Sequence, residues 1–111
     1  MSTVTLQPGS FMVLDPADKR VVLFDWDAEN LADGVTIASS VFAIVTLKQV
    51  GATILTKDNA SILSGTRKTQ VRLDATTATL GDLYELTNTI VTSESPAQTK
   101  NGSIRVLIQD L

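Results

Sequence analysis

Apolar and polar residues alternate along most of this chain with the period of two that is typical of β-strands. The clearest example is the segment 81–92. One face of that segment carries Tyr84, Leu86, Asn88 and Ile90. The positions between them are mostly polar or β-branched, as in a strand with one buried and one solvated face. We therefore predict a strand here, with Tyr84, Leu86 and Ile90 in the core.

Six further segments have strand-like patterns. They are residues 19–25, 35–47, 52–55, 60–63, 69–73 and 103–109. We expect the long strand over residues 35–47 to carry a bulge at Ser39-Ser40, and the two short strands, 52–55 and 60–63, to be joined by a turn at 57–59. The alternation in the last two segments predicts that the remaining core residues are Val71, Leu73, Ile104, Val106 and Ile108.

The start of the 81–92 strand fits a motif of immunoglobulin-like sandwiches. Asp82 and Tyr84 match the entry of a tyrosine corner, in which the phenol hydroxyl hydrogen-bonds to the backbone upstream. Leu86 stands where antibody domains have a disulfide cysteine, and the chain contains no cysteine. We predict an all-β fold, an immunoglobulin-like antiparallel β-sandwich of about seven strands without a disulfide.

The first 18 residues have a weaker pattern than the rest of the chain. Their alternation is broken at Pro8-Gly9 and at Asp15-Pro16, and proline removes a donor from the hydrogen-bond ladder. We predict an N-terminal arm or edge strand over residues 1–18 and the sandwich over residues 19–111. An arm without its own core is a natural docking element, and its candidate partner contacts are Val4, Leu6, Phe11 and Val13.

The connection between the last two strands contains two turn signals. These are Ser93–Pro96, which ends in proline, and Asn101-Gly102. We expect the proline turn to form the hairpin, with Asn101-Gly102 making a bulge or replacing it as the tip.

Composition excludes several classes of function. The chain has no histidine and no cysteine, so it lacks the usual base of a nucleophilic triad, the commonest transition-metal ligand and any thiolate site. Its net charge of −3 opposes binding to a phosphate backbone. It also has no secretory signal and no apolar run long enough for a membrane helix. We expect no enzymatic activity, no cofactor, no metal, and no nucleic-acid or membrane partner.

The acidic residues do not form a convincing site. A calcium loop that began at Asp25 would need glycine at its sixth position, where Asn30 stands. The pairs Asp25 with Asp27 and Asp82 with Glu85 could be offered as the two carboxylates of a glycosidase. The first pair should splay toward solvent, and Asp82 is better placed to serve the turn before the strand.

Trp26 is the only tryptophan and has three interpretations. It can pack in the core against Phe24 and Leu31, or serve as a contact for a partner protein, or form a platform for carbohydrate. Carbohydrate platforms usually present several exposed aromatic rings. This chain has five aromatic residues in total, which weakens the carbohydrate interpretation.

An ordered set of short motifs resembles small bacteriophage virion proteins that are often labelled fiber-tail adaptor proteins. The resemblance runs from about residue 15 to the end of the chain. The motifs are Asp15–Asp18, Phe24–Trp26, Leu31–Gly34, Thr69–Leu73, Tyr84–Asn88 and Ile104–Leu107. The family's glycine-rich turn before the tyrosine strand is replaced by residues 74–81, which contain fewer glycines.

This resemblance implies a short immunoglobulin-like domain with a structural role in a virion, made in the host cytoplasm. Many copies would sit in a symmetric assembly on the tail or neck and help to attach fibers or spikes. The partners would be other virion proteins of the tail, neck or fiber. One alternative is a capsid decoration (cement) protein that binds the major capsid protein, and a second is a carbohydrate-binding sandwich module.

Overall fold

The computed structural model describes residues 2–26, 34–51, 55–63 and 67–109. These residues form eight strands and no helix. The strands are β1 (Ser2–Leu6), β2 (Phe11–Leu14), β3 (Lys19–Asp25), β4 (Ile37–Lys48), β5 (Thr56–Ile62), β6 (Lys68–Asp74), β7 (Leu83–Thr92) and β8 (Thr99–Ile108).

The strands form two four-stranded sheets that pack face to face. One sheet has the order β1-β3-β6-β5 and the other β2-β8-β7-β4. All pairs are antiparallel except β1 with β3 and β2 with β8, which are parallel. The chain crosses from the first sheet to the second at Pro8-Gly9, where Gly9 has a φ of +91° and donates its N–H to the carbonyl of Ser103 at 2.6 Å.

Residues 2–18 therefore contribute an edge strand to each sheet and form part of the sandwich. In β1, Val4 and Leu6 pack against the core. In β2 the buried residues are Met12 and Leu14, while Phe11 lies on the outer face. Both faces of β2 are apolar, so local alternation could not show which one faces inward.

The core lies between the sheets and is built mainly from alternate residues of β2, β3, β6, β7 and β8. Burial alternates strictly along β6 and β7. The eight residues predicted as core are at most 1% exposed: Val71, Leu73, Tyr84, Leu86, Ile90, Ile104, Val106 and Ile108. The core is completed by the buried apolar residues of β2, β3 and β4 and by Trp26.

Two predictions about strand interruptions need correction. The bulge expected at Ser39-Ser40 lies one step earlier, as a register shift between Ile37 and Ser39. The turn expected at 57–59 is wrong, because β5 continues through these residues. In place of a turn, this strand has a register shift between Asp58 and Ser61, where Asn59 has a φ of +53°. Of the short strand predicted at 52–55, only Leu55 is described, and it is buried.

The β7–β8 connection follows the proline turn, which contains a cis peptide bond between Ser95 and Pro96. Asn101 and Gly102 lie inside β8 and form neither a bulge nor a tip. Gly102 is needed for packing, because a Cβ atom there would lie 2.7 Å from Pro8 Cγ and 2.8 Å from Trp26 Cη2.

We expect Leu86→Ala to reduce the free energy of unfolding by about 2–5 kcal/mol, as large-to-small changes in a packed core do. This is a large part of the roughly 5–15 kcal/mol typical of a domain. The measurement is chemical denaturation, with Leu80→Ala as the control because Leu80 is 50% exposed. Equal stability of Leu86→Ala and the wild type would show that the inward face of β7 is assigned wrongly.

Candidate functional site

The acidic pairs considered from the sequence do not form a site in the described part of the chain. Asp82 is fully buried beside the start of β7, whereas Glu85 lies on the outer face of that strand. Asp27 lies outside the described residues, so its position relative to Asp25 is not assigned. Among the described residues, no group of three or more acidic side chains could hold a metal ion.

No helix in the described segments is long and apolar enough to span a membrane. Most of the polar side chains that the described residues bury belong to two clusters on or beside β7. The exception is Thr92, whose hydroxyl accepts a hydrogen bond from Gln98 N–H at 2.9 Å.

The first cluster is centred on the carboxylate of Asp82. It accepts hydrogen bonds from the Tyr84 hydroxyl at 2.6 Å, from Val50 N–H at 2.7 Å and from Thr79 N–H at 3.0 Å. The Tyr84 hydroxyl in turn accepts a hydrogen bond from Leu55 N–H at 3.1 Å. One carboxylate therefore holds the segments before β5 and β7 against the start of β7.

This geometry differs from the tyrosine corner that we predicted. The hydroxyl of Tyr84 does contact backbone upstream, but there it is the acceptor, and its own proton goes to Asp82. Leu55 lies 29 residues before Tyr84, whereas the usual corner closes over a few residues.

The cluster shifts the pKa values of both side chains. Burial raises the pKa of Tyr84 to about 12, and the hydrogen bond to Asp82 acts in the same direction. Burial also acts to raise the pKa of Asp82, but hydrogen bonds from Tyr84 and from the N–H groups of Val50, Thr79 and Gly51 outweigh it and lower that pKa. The carboxylate is thus held in its charged form.

The second cluster is centred on the side chain of Asn88, which is fully buried. Its Oδ1 accepts from Trp26 Nε1 at 3.0 Å and from Thr69 Oγ1 at 2.7 Å. Its Nδ2 donates to Ser40 Oγ at 2.8 Å and to the carbonyl of Val41 at 3.1 Å. Trp26 and Thr69 belong to the β3 and β6 side of the sandwich, so Asn88 joins the two layers.

Trp26 is 1% exposed and so offers no surface to a partner or to a carbohydrate. Its ring stacks on Phe24 with centroids 6.5 Å apart, and Phe24 meets Phe42 edge-on at 5.6 Å. Of the three interpretations of Trp26, core packing is the one that the structure has. The predicted contact with Leu31 lies outside the described residues.

The other candidate partner contacts divide between the two sides of the sandwich. Val4 and Leu6 point inward and are partly buried against the core, so they are not available as a docking surface. Phe11 is 56% exposed. Val13 is half-buried on the same outer face as Phe11.

The outer faces of the two sheets differ in chemistry. The outer face of the β1-β3-β6-β5 sheet carries charged pairs. Arg72 Nε donates to Asp58 Oδ1 at 2.7 Å, and Lys19 Nζ lies 3.9 Å from Asp74 Oδ2. Hydrogen bonding to Arg72 lowers the pKa of Asp58. Such a face is well solvated.

The outer face of the β2-β8-β7-β4 sheet is apolar along β4 and at the end where β7 begins. Elsewhere β7 and β8 carry polar pairs, Thr87 with Ser103 and Thr89 with Asn101. We call the following outward residues the apolar face: Phe11, Val13, Leu83, Leu107, Val41, Val45 and Leu47. Val13, Leu107 and Leu83 stand directly opposite one another across three strands. Exposure reaches 64% at Val41 and 51% at Val45.

Two features shape the apolar face. A shallow depression of about 460 Å³ opens at its edge, lined by Lys48, Leu80, Gly81, Leu107, Ile108 and Gln109. Glu85 and Arg105 stand opposite each other within the face and have opposite charge. In the sequence, the sign of this surface was the uncharged stretch 35–47. Only the order of strands in the sheet shows that this stretch forms an edge strand whose outward side chains face solvent.

No protein-family model matches the chain, and no curated protein matches it in sequence. Among solved structures it is similar to the cysteine protease inhibitor EhICP2 from Entamoeba histolytica. The TM-score is 0.54 over 97% of this chain and 96% of that one, with 7% sequence identity. The fold is an immunoglobulin-like β-sandwich. At this identity the likeness shows the fold alone.

The immunoglobulin-like order can be followed strand by strand. The runs β3-β6-β5 and β8-β7-β4 correspond to strands B-E-D and G-F-C of a constant-type domain, and β1 and β2 flank them. Tyr84 therefore lies near the start of strand F, as the sequence predicted. The eight described strands compare with about seven expected.

We expect Asn88→Leu to lower the free energy of unfolding by at least about 2 kcal/mol. The new side chain is similar in size, but it leaves Trp26 N–H and the Thr69 hydroxyl without their acceptor, and each buried unsatisfied group costs about 1–3 kcal/mol. The measurement is urea unfolding. Asn101→Leu, at an exposed position of β8, is the control and should stay within about 0.5 kcal/mol of the wild type. Equal losses in the two variants would contradict a bridging role for Asn88.

Stability should fall in acid because the pKa of Asp82 is lower in the folded protein than in the unfolded chain. The contribution is complete above the unfolded value of about 3.9 and is lost as pH falls through the folded value. We expect Asp82→Asn to be less stable at neutral pH and to lose less stability between about pH 5 and pH 2. Thermal melting across this range is the measurement. An unchanged acid dependence in Asp82→Asn would assign that dependence to other carboxylates.

Proposed function

We propose that this chain is a non-enzymatic structural protein of a bacteriophage virion, an adaptor on the tail or neck that helps to attach fibers or spikes. The observation that carries the proposal is the apolar face on one side of a small sandwich. The ordered motifs described above supply the link to virion proteins.

The apolar face supports a docking role because exposed apolar residues that are grouped on one side of a domain and bordered by polar residues are typical of interaction sites. One row at the end of this face, formed by Val13, Leu107 and Leu83, spans about 10 Å at the usual spacing of strands. Glu85 and Arg105 add one charge of each sign. A partner surface that is mainly apolar, with a few polar groups, would fit such a face.

Rigidity supports the same role. The face is built on β-strands, and the buried clusters around Asp82 and Asn88 leave its supporting strands little freedom to rearrange. A preorganised surface loses less conformational entropy on binding than a loop does. This property suits a protein that must present a partner in a fixed orientation.

The structure bears differently on the two alternative functions, capsid decoration and carbohydrate binding. A capsid decoration protein would use the same surface and the same rigidity, so the position of the protein in the particle must decide between head and tail. The carbohydrate-binding alternative depended on Trp26 as a stacking platform, and the burial of Trp26 removes that support.

The test is complementation of a phage that lacks the gene for this chain, with wild-type or variant protein supplied in trans. We expect the wild-type protein to be located at the tail or neck of purified particles by electron microscopy and to restore fibers. Phe11→Glu places a charge in the apolar face at an exposed site. It should reduce incorporation by about tenfold or more, which corresponds to about 1.4 kcal/mol of binding energy.

Thr5→Glu is the control, because it adds the same charge at an exposed position of β1 on the other sheet. It should be incorporated like the wild type. Protein found on the head would favour the decoration alternative, and its absence from particles would refute a virion role. Equal incorporation of Phe11→Glu would exclude the apolar face as the docking surface.

A further inference from the structure

We propose that strand β4 pairs edge to edge with β4 of a second copy of this chain, antiparallel and centred on Ala43. The pairing would join two four-stranded sheets into one continuous eight-stranded sheet. This inference concerns the edge of β4 and not the apolar face as a whole, and it holds or fails independently of a role in virions.

The four edge strands of the sandwich are not equally protected against such pairing. Strand edges are usually blunted by shortness, proline, charge or irregularity. The strands β1 and β2 have only five and four residues, and β2 lies between Pro8 and Pro16. The β5 edge carries Lys57 and Asp58 and a register shift.

Strand β4 has none of these protections over most of its length. It is twelve residues long and lies at the end of its sheet. From Ile37 to Leu47 it contains no charged residue and no proline. Its two irregularities, between Ile37 and Ser39 and between Thr46 and Lys48, lie near its ends. The stretch between them is a regular, uncharged template for another strand.

In one antiparallel register, the side chains of this stretch form favourable pairs with those of β4 in a second copy. With Ala43 opposite Ala43, Val41 of each copy faces Val45 of the other on the outer side. On the inner side Phe42 faces Ile44, which is only half-buried in the single chain. Aromatic with β-branched and β-branched with β-branched pairs are the favourable cross-strand combinations. Centring on Phe42 would instead set Val45 against Ser39, and centring on Ile44 would draw Leu47 into the paired region, beside the second irregularity.

Charge also favours a second copy as the occupant. Two molecules with a net charge of −3 repel each other, and most of their surfaces would bring like charges together. The β4 edge brings none within the paired segment, because the first charged residue is Lys48 at its end. Lys48 lies beyond the paired residues 40–46, so no like charges meet within them.

The size of the contact indicates a reversible dimer. The seven paired residues, 40–46, span roughly 23 Å, and the strip is about as wide as the 10 Å spacing of packed sheets. This is smaller than the roughly 800 Å² per partner of a standard interface. Dimer formation should therefore depend strongly on protein concentration.

Disulfide trapping tests the register directly, because the chain has no cysteine of its own. Directly opposite residues in antiparallel strands have Cα atoms about 4.5–5.5 Å apart, which is within the range that a disulfide spans. Ala43→Cys should therefore cross-link to itself under mild oxidation. We expect its rate to exceed that of Thr5→Cys, an exposed position on β1, by about tenfold or more, because pairing raises the effective concentration of the thiols.

Two further variants distinguish this register from other contacts. In the proposed dimer the two copies of residue 41 lie about 13 Å apart along the strands, so Val41→Cys alone should cross-link no faster than Thr5→Cys. A mixture of Val41→Cys and Val45→Cys should cross-link rapidly, since these positions face each other. Efficient cross-linking of Val41→Cys to itself would overturn the register, and Ala43→Cys reacting no faster than Thr5→Cys would overturn the proposal.

Sedimentation of unlabelled protein gives a second readout. The wild type should shift from monomer to dimer as concentration rises. Ala43→Lys should remain monomeric, because it places two like charges opposite each other. Its melting temperature should be unchanged at low concentration, since Ala43 is exposed in the single chain. A wild type that stays monomeric at all concentrations would also refute the dimer, whatever the outcome of the particle experiment.

Discussion

The amide of Asn88 is the contact on which the two-layered arrangement depends. An amide side chain has two N–H donors and an oxygen with two lone pairs, and burying it with any of them unpaired is costly. In this fold Trp26, Thr69, Ser40 and Val41 satisfy all of them. These partners come from both sheets, so the amide is satisfied only when the sheets are packed in the correct relative position.

The position of this contact is informative when compared with antibody domains. Those domains join strands B and F with a disulfide. Here Trp26 directly follows the strand that corresponds to B, and Asn88 lies on the strand that corresponds to F. A hydrogen bond between the same two strands thus provides a specific link without cysteine. In antibody domains the core tryptophan lies on strand C. Here the single tryptophan is elsewhere in the chain, and its hydrogen bond to Asn88 explains why it is nevertheless in the core.

The buried clusters and the outer faces have separate roles. Asp82, just before β7, and Asn88, in the second half of β7, hold the interior through buried hydrogen bonds that do not involve the outward residues. The outer face of the β1-β3-β6-β5 sheet carries solvated charged pairs such as Arg72 with Asp58. The other carries apolar residues, and its last strand has an unprotected edge. Docking through the face and pairing through the edge are compatible, because a β4 pair would leave both apolar faces on the same side of one larger sheet.

The sequence was sufficient to predict the strands and the core wherever burial alternates within one strand. The inward residues of β6, β7 and β8 were predicted correctly because one face is apolar and the other mixed or polar, and this contrast is local. Where both faces are apolar, as in β2, the pattern could not show that Met12 and Leu14 are buried and Phe11 exposed. The exposed positions of β4 were ambiguous for the same reason.

Other features depended on contacts between residues far apart in the chain. Trp26 is buried because Gly102, 76 positions later, leaves room for its ring, and because Asn88 accepts its N–H. The hydroxyl of Tyr84 binds Asp82 and Leu55 because the segment before β5 passes over the start of β7. The edge position of β4 follows from the order of strands in its sheet. Local alternation therefore determined which residues could be buried, whereas the tertiary structure decided which face was covered, since that depends on partners that only folding brings together.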